Sequence, residues 1–322
     1  MVSFSVLIIT HGREELLLRC LDSLRPPVEK WQLIIVATGL PLSEQIVVKA
    51  NSLTSEVDIL HLPQKETQAK ARNEGTKLVK YDWAFLIDEK ANVTPRYFET
   101  LMPLLSLERV DVLGGPDIPA KGMDKFSEAL AITLASPFCT GKTFSRHSRI
   151  GKQMIPATEE ILSTFNLWIR TQFLREIPFP ENYHQAEEIA FLMELQKRGA
   201  HMYYHPSLVV AHYRQENLKS LLRSTFYSGC YRSKVMKEKS AQSFGYFWLP
   251  SIFVLLHLLI FIEPQLFFSF LRIYLGIIVM MSLNLGSRRQ KLGLFVHISF
   301  LHYFIVFVYG LGFLANRWFK KI

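Results

Sequence analysis

Apolar positions along this chain follow two regimes, one short and periodic, the other nearly unbroken. Residues 4–9 form a short apolar run suited to a buried strand, followed by a turn at Gly12 and by Leu16, Leu17, Cys20, Leu21 and Leu24 at helical spacing. The alternation continues with a strand at 33–37, a helix at 43–52 capped by Ser43, a strand at 57–62, a helix at 68–79 and a strand at 83–87. Elements of these lengths in this order predict an α/β fold whose mostly parallel sheet is covered on both faces. Sheets of that kind bind ligands beyond the carboxyl ends of their strands, which directs attention to residues 10–13, 38–39 and 88–90.

The second regime occupies the C-terminal third. Runs at 247–262, 266–283 and 292–315 are apolar without amphipathic period, each near the roughly 20 residues that a helix needs to cross a bilayer. They predict two or three transmembrane helices within 244–316, the first interrupted by Pro250. Ahead of them, residues 217–239 carry Lys219, Arg223, Arg232, Lys234, Lys237 and Lys239 against one acid, Glu238. Leu218, Leu221, Leu222 and Phe226 fall on one face of that segment, a pattern that fits a helix lying at the membrane surface and equally one packed on its own protein. Basic residues beside a membrane segment favour the cytoplasmic leaflet. Arg288, Arg289 and Lys291 fit the same side if the first two runs form a hairpin turning at Glu263 and Pro264. The basic tail at 317–322, with Arg317, Lys320 and Lys321, then lies on the far side unless one run is re-entrant or interfacial.

Composition agrees with this division. The 322 residues carry 37 Lys and Arg against 28 Asp and Glu, a net charge of +9, with 49% hydrophobic and 13% aromatic residues. Disorder and small disulfide scaffolds are excluded. A mean hydropathy of +0.14 is high for a chain of which 20% is charged, as expected of a water-exposed part joined to a much more apolar one. Nucleic-acid binding is a poor account of the charge, because many of the basic residues adjoin the apolar runs and no aromatic–basic recognition motif is present. The first residues read as a strand rather than a signal peptide. Cys20, Cys139 and Cys230 are far apart, form no metal-like spacing, and read as reduced thiols.

Several segments carry chemistry in a particular order. THGREELLLRCLDSL at 10–24 follows the opening strand; AKARNEG spans 69–75; WAFLIDEKANVTPRYFETL spans 83–101; NLWIRTQFL spans 166–174; AEEIAFLMELQKRG at 186–199 is followed by YYHPSLVVAHYR at 203–214. Over roughly residues 3–235 the chain resembles the family 2 glycosyltransferases of the GT-A fold. The second segment resembles that family's Ala-Arg-Asn-x-Gly signature, the third the strand ending in Asp-x-Asp, the fourth its Asn-x-x-x-Arg stretch, and the fifth its Glu-Asp helix. The resemblance implies a Rossmann-like GT-A domain at 1–235, followed by the C-terminal membrane helices. It also implies transfer of a sugar, with inversion, from a nucleoside diphosphate to a lipid-linked or growing glycan acceptor, as in polysaccharide and cell-envelope synthesis.

Residue by residue, the resemblance places the catalytic base at Glu188, beside Glu187, at the start of a helix whose core face is Ile189, Leu192 and Met193. It places Thr10, Gly12, Arg13, Thr38, Arg72, with Asn73 alongside, Asp88 and Lys90 on the nucleotide sugar. His212 matches a histidine sometimes near the metal or the diphosphate. Gly114, Gly115, Pro116 and Asp117 read as loop geometry on the acceptor side. Two positions depart from the family. Thr38 stands where an Asp often reads the base, so the donor's identity is not legible. Lys90 stands where the second acid would coordinate Mg or Mn, and a protonated lysine cannot be a metal ligand. Three readings follow: Glu89 completes a metal site with Asp88 and His212; Lys90 neutralises the diphosphate without a metal; or the site has lost its chemistry, leaving a silent nucleotide-sugar-binding scaffold of a glycan assembly complex.

Overall fold

The computed structural model describes residues 2–183, 185–214, 217–238, 244–288 and 291–318. Lys239, Arg289, Lys320 and Lys321 of the expected basic segments lie outside the described residues. By contact the chain divides into a first unit, residues 1–120 and 145–213, and a second, residues 121–144 and 214–322. The sequence reading ran the first domain to about residue 235, whereas residues 214–238 group here with the C-terminal helices.

The first unit is built on an eight-stranded sheet. Its strands are β1 (Phe4–Thr10), β2 (Gln32–Thr38), β3 (Glu56–Leu62), β4 (Trp83–Asp88), β6 (Val112–Gly114), β8 (Ile155–Pro156), β9 (Asn166–Arg170) and β10 (Met202–Tyr204), in the order β3-β2-β1-β4-β9-β6-β10-β8. The pairs among β1 to β4 are parallel, while β9 runs antiparallel to β4 and β6. A smaller sheet orders β5 (Ala91–Val93), β11 (Val210–His212) and β7 (Asp117–Pro119) as β5-β11-β7. The helices of this unit are α1 (Glu14–Ser23), α2 (Glu44–Asn51), α3 (Gln68–Thr76), α4 (Tyr97–Leu105), α7 (Thr171–Glu176) and α8 (Glu187–Lys197).

The unbroken apolar strands have a direct cause. Successive side chains of a strand point to opposite faces, and here both faces are buried. Phe4, Val6 and Ile8 of β1 join Leu33, Ile35, Phe85 and Trp168 in one core with Leu17 and Leu21 of α1. Leu7 and Ile9 join Ile34, Val36 and Leu86 in the other, with Phe191, Leu192 and Leu195 of α8. Phe85 stacks on Trp168 at 4.5 Å between ring centroids. Gly75 closes α3 onto the sheet, since a Cβ there would collide with Leu7 and Val36; that is the physical reason for glycine at the end of AKARNEG. The register sets Thr10 beside Ala37 and Ile9 beside Asp88, so β1, β2 and β4 end along one edge.

The second unit is helical: α5 (Lys125–Leu134), α6 (Pro137–Thr140), α9 (Leu218–Glu238), α10 (Phe244–Phe247), α11 (Leu249–Leu256), α12 (Leu259–Ile262), α13 (Pro264–Arg288) and α14 (Phe295–Trp318). Three stretches, Gly245–Ile262, Pro264–Arg288 and Leu292–Asn316, are long and apolar enough to cross a membrane. The first is divided into α10, α11 and α12, with Pro250 near the start of α11. Helix α9, whose sequence fitted either a surface or a packed helix, lies along α14. The two approach closely: a Cβ on Gly312 would collide with the Phe226 carbonyl, and one on Gly229 with that of Tyr309. Ala129, Leu130 and Ile132 of α5 join Leu221, Ile298, Leu301 and Ile305 in a core of their own.

Two local expectations differ. Ser43 occupies the N-cap of α2, but its hydroxyl makes no capping bond; its N–H donates instead to Glu14 Oε1 at 2.7 Å. Helix α3 ends at Thr76 rather than 79. Its start is set by Thr67, whose side chain accepts from the Lys70 N–H, and this fixes where Arg72 falls.

Candidate active site

Asp88 closes β4 at the common strand edge. Its Oδ1 accepts from the Lys90 N–H at 2.8 Å, which folds the chain into the turn leading to β5. His212, on the small sheet, brings Nε2 to 4.0 Å from Asp88 Oδ1 and Nδ1 to 3.7 Å from Asp117 Oδ2. His147 Nδ1 sits 2.7 Å from Asp117 Oδ1, so the two acids and two histidines form one continuous cluster. Burial alone would raise the Asp88 carboxyl. The charges of His212 and Lys90, the Lys90 N–H and the charge of Arg72 outweigh it and hold the group below the ordinary carboxylate range.

Glu89, the first residue of the turn, has different partners from Asp88. It is buried, accepts from the Thr10 hydroxyl and the His11 N–H, and pairs with Arg13 at 3.3 Å. Burial pushes its carboxyl up. His11 is held at both nitrogens, Nδ1 at 2.6 Å from Thr38 Oγ1 and Nε2 at 2.8 Å from Gln68 Nε2. Because the Gln68 amide donates, Nε2 accepts and Nδ1–H donates to Thr38. Burial, then Arg13 and Lys65, lower the His11 pKa, so this imidazole is neutral at physiological pH. Thr38, Thr10 and Arg13 therefore stand in one network with His11, which lies within the 10–13 segment but to which the sequence assigned no role, and with Gln68, which the sequence did not single out. Gly12 contributes the turn itself, at φ +83°.

The second wall is the start of α8. Ala186, just before it, has a left-handed backbone at φ +63°, a conformation that costs a residue with a Cβ about 1–2 kcal/mol. Such strain marks a place where the surroundings dictate the geometry. Arg72, itself buried, donates from Nη1 to Glu187 Oε1 at 2.7 Å and lies over the Phe179 ring. Glu188 accepts from Arg146 Nη1 at 2.9 Å on one oxygen, and on the other from Ser163 Oγ, Thr164 N and Thr164 Oγ1 at 3.0–3.2 Å. Arg146 is anchored by the Glu160 and Glu159 carbonyls. The neighbouring carboxyls part company. Burial raises that of Glu187, whereas around Glu188 Arg146, Arg72 and the Thr164 donors overcome burial and lower it. Asn73 faces elsewhere, bonding the Phe179 N–H and carbonyl and Glu181.

A small cavity at the strand edge is lined by Ile9, Gln68, Arg72, Ile87, Asp88 and Thr164, the last of which bonds Glu188. No sequence motif announced Arg146, Ser163 and Thr164 around Glu188, or His147 beside Asp117. As a cation site the edge fits poorly. Glu89 is committed to Thr10 and Arg13, Lys90 supplies an ammonium, and among the described residues no three His, Cys, Asp or Glu side chains are grouped so as to hold a metal ion.

A mixed α/β sheet with its polar groups gathered at the strand ends and at a glutamate-led helix defines a GT-A type of domain. A family model, "Glycosyl transferase family 2", matches residues 5–177, more than half of the chain, and the chain belongs to that family. Among solved structures, it is similar to the mannosyltransferase PcManGT from Pyrobaculum calidifontis in complex with GDP-Man and Mn2+, at a TM-score of 0.56 and 10% identity over 98% of this chain and 87% of that one. It is also similar to S. aureus TarS 1-349 in complex with UDP-GlcNAc, at a TM-score of 0.54 and 17% identity over 98% and 92%. At such identities the likeness is one of fold. No curated protein sequence matches the chain.

Proposed function

We propose that this chain is a membrane-anchored inverting glycosyltransferase that moves a sugar from a nucleoside diphosphate to a lipid-linked or growing glycan acceptor, with its first unit on the cytoplasmic side. The observation that carries the reading is the Glu188 carboxylate, set at a helix start and kept ionised by Arg146, Ser163 and Thr164 beside the strand edge that ends in Asp88. In the reaction the acceptor oxygen bonds to the anomeric carbon from the face opposite the diphosphate, the carbon–oxygen bond to the diphosphate breaks, and the hydroxyl proton passes to Glu188. A carboxylate with a low pKa is fully ionised at neutral pH, gaining availability at the expense of driving force. Thr10, Gly12, Arg13, Thr38, Arg72, Asp88 and Lys90 supply the nucleotide side, and Glu187 acts through Arg72.

The nucleotide sugars held by PcManGT and TarS support the donor class. The three apolar stretches support the anchor. A lipid-linked acceptor is supported by an apolar cavity of about 540 Å³ within the second unit, lined by Phe126, Leu218, Val296, Phe300 and Leu301 with Asp124, Asn217 and His297. The test is donor turnover by the detergent-purified chain with a panel of nucleotide sugars and a membrane lipid extract. Glu188→Gln should lose about 10²–10⁴-fold in turnover while still binding the donor; unchanged turnover would refute the base assignment.

A further inference from the structure

We infer that the donor's diphosphate is held by the ammonium of Lys90 in place of a divalent cation, so that nucleotide binding by this chain requires no metal. The inference rests on the nucleotide-sugar reading of the site and deepens it.

Its grounds are the commitments of the groups around Lys90. The backbone of this residue is pinned at both ends: its N–H donates to Asp88 Oδ1, and its carbonyl accepts from the Tyr213 N–H at 2.9 Å. The half-buried side chain therefore leaves the strand edge in a fixed place, yet its ammonium makes no ion pair among the described residues. The neighbouring acid that could have balanced it, Glu89, is buried on the other side of the turn and consumed by Thr10, His11 and Arg13. Asp88 has an oxygen on the Lys90 N–H and His212 beside it, and Asp117, beyond that imidazole, is held by His147 and His212. Mg2+ demands six ligands in near-octahedral order, most of them oxygens, and here it would meet the Asp88 carboxylate, the His212 imidazole and an ammonium, with no third acid or imidazole grouped with them among the described residues. An anion is better served. Lys90 lies beside Asp88, close enough that its charge, with that of Arg72, acts on that carboxyl. The same ammonium also acts on His11, together with Arg13 and Lys65. Two lysines and two arginines thus set the field of an edge whose acids are already engaged, and such a field concentrates a polyanionic ligand. A lysine there is a compact point charge suited to phosphate oxygens.

The test is calorimetric titration of the full chain in detergent with UDP, GDP, CDP and ADP, each in EDTA and in Mn2+. At least one diphosphate should bind in EDTA with a Kd within about threefold of its value in Mn2+. Lys90→Met, which keeps the aliphatic stem, should weaken that diphosphate about tenfold or more and change binding of the parent nucleoside by no more than about twofold. Lys90→Asp should lose binding in EDTA and recover part of it with Mn2+. Wild-type binding that appears only with Mn2+ overturns the inference and leaves the nucleotide reading standing, as does Lys90→Met binding the diphosphate like wild type. Absence of binding by every diphosphate in both conditions overturns the two together.

Discussion

In the first unit the central strands are enclosed: all seven residues of β1 and of β2 are buried, though none of the edge strand β3 is; along the 25 residues of α13 only Phe267, Ile278, Ser282 and Gly286 are. Both regions are apolar, but what holds them differs. A sheet in water gains from removing apolar surface, and it is filled from both sides by helices. Helices long and apolar enough to cross a membrane, whose outward residues include Ile273 and Met280, 66% and 73% exposed, would gain nothing of that kind from one another in lipid, where close backbone approach takes over. Large side chains are therefore the vulnerable positions of the first unit and absent ones the vulnerable positions of the second.

Five substitutions probe that contrast. Trp168→Ala removes a buried ring packed on Phe85 and Phe4 and bonded to the Tyr97 hydroxyl, and should cost about 3–5 kcal/mol, read as a lower thermal midpoint of the detergent-solubilised chain. Gly312→Leu forces a side chain against the Phe226 carbonyl and should cost about 1–3 kcal/mol. Gly276→Leu, where nothing lies within 4 Å, should leave the midpoint unchanged; equal effects at the two glycines would refute backbone-close packing. Thr164→Val deletes a hydroxyl bonded to Glu188 and should cost about 1.5 kcal/mol. The folded Glu188 carboxyl is depressed, so the stability it lends is present above its unfolded pKa and fades as pH falls through its folded one. Thr164→Val should thus shrink stability at neutral pH more than at acidic pH, and move the acid limb of a pH–turnover profile upward. Ala186→Gly should have the smallest effect. Relief of about 1–2 kcal/mol of left-handed strain against about 0.5–1 kcal/mol of added chain entropy leaves a gain of about 0.5 kcal/mol in a denaturant titration.

Legibility from the sequence follows the same division. The strands at 4–9, 33–37 and 83–87 were readable because burial on two faces leaves a continuous apolar run, while 57–62 keeps four apolar residues at the partly covered edge of the sheet; observed bounds differ by no more than one residue at either end. The apolar stretches were readable by length, but the division of the first into three short helices and the seating of α9 on α14 were not; both depend on contacts between residues far apart. Asp88, Glu187 and Glu188 stood out because they lie at element ends in recognisable segments. Arg146, Ser163 and Thr164 did not, since each meets Glu188 only through the fold, and His11 and Gln68 looked like ordinary turn and helix-start residues. The commitment of Glu89 to Thr10 was not legible either, because Glu89 lies in the turn after β4 and its partner is set by the fold.

Helix α5 belongs to the second unit yet is encoded within the first. The partners of Ala129, Leu130 and Ile132 on α14 are synthesised about 160 residues later, which at 5–20 residues per second is a delay of roughly 10–30 s. For that interval the apolar face of α5 is exposed on the nascent chain without its cover. The order of synthesis thus makes completion of this unit wait for the last helix, and a chain stopped at residue 213 would present that face permanently, as an aggregating fragment rather than a soluble catalytic domain.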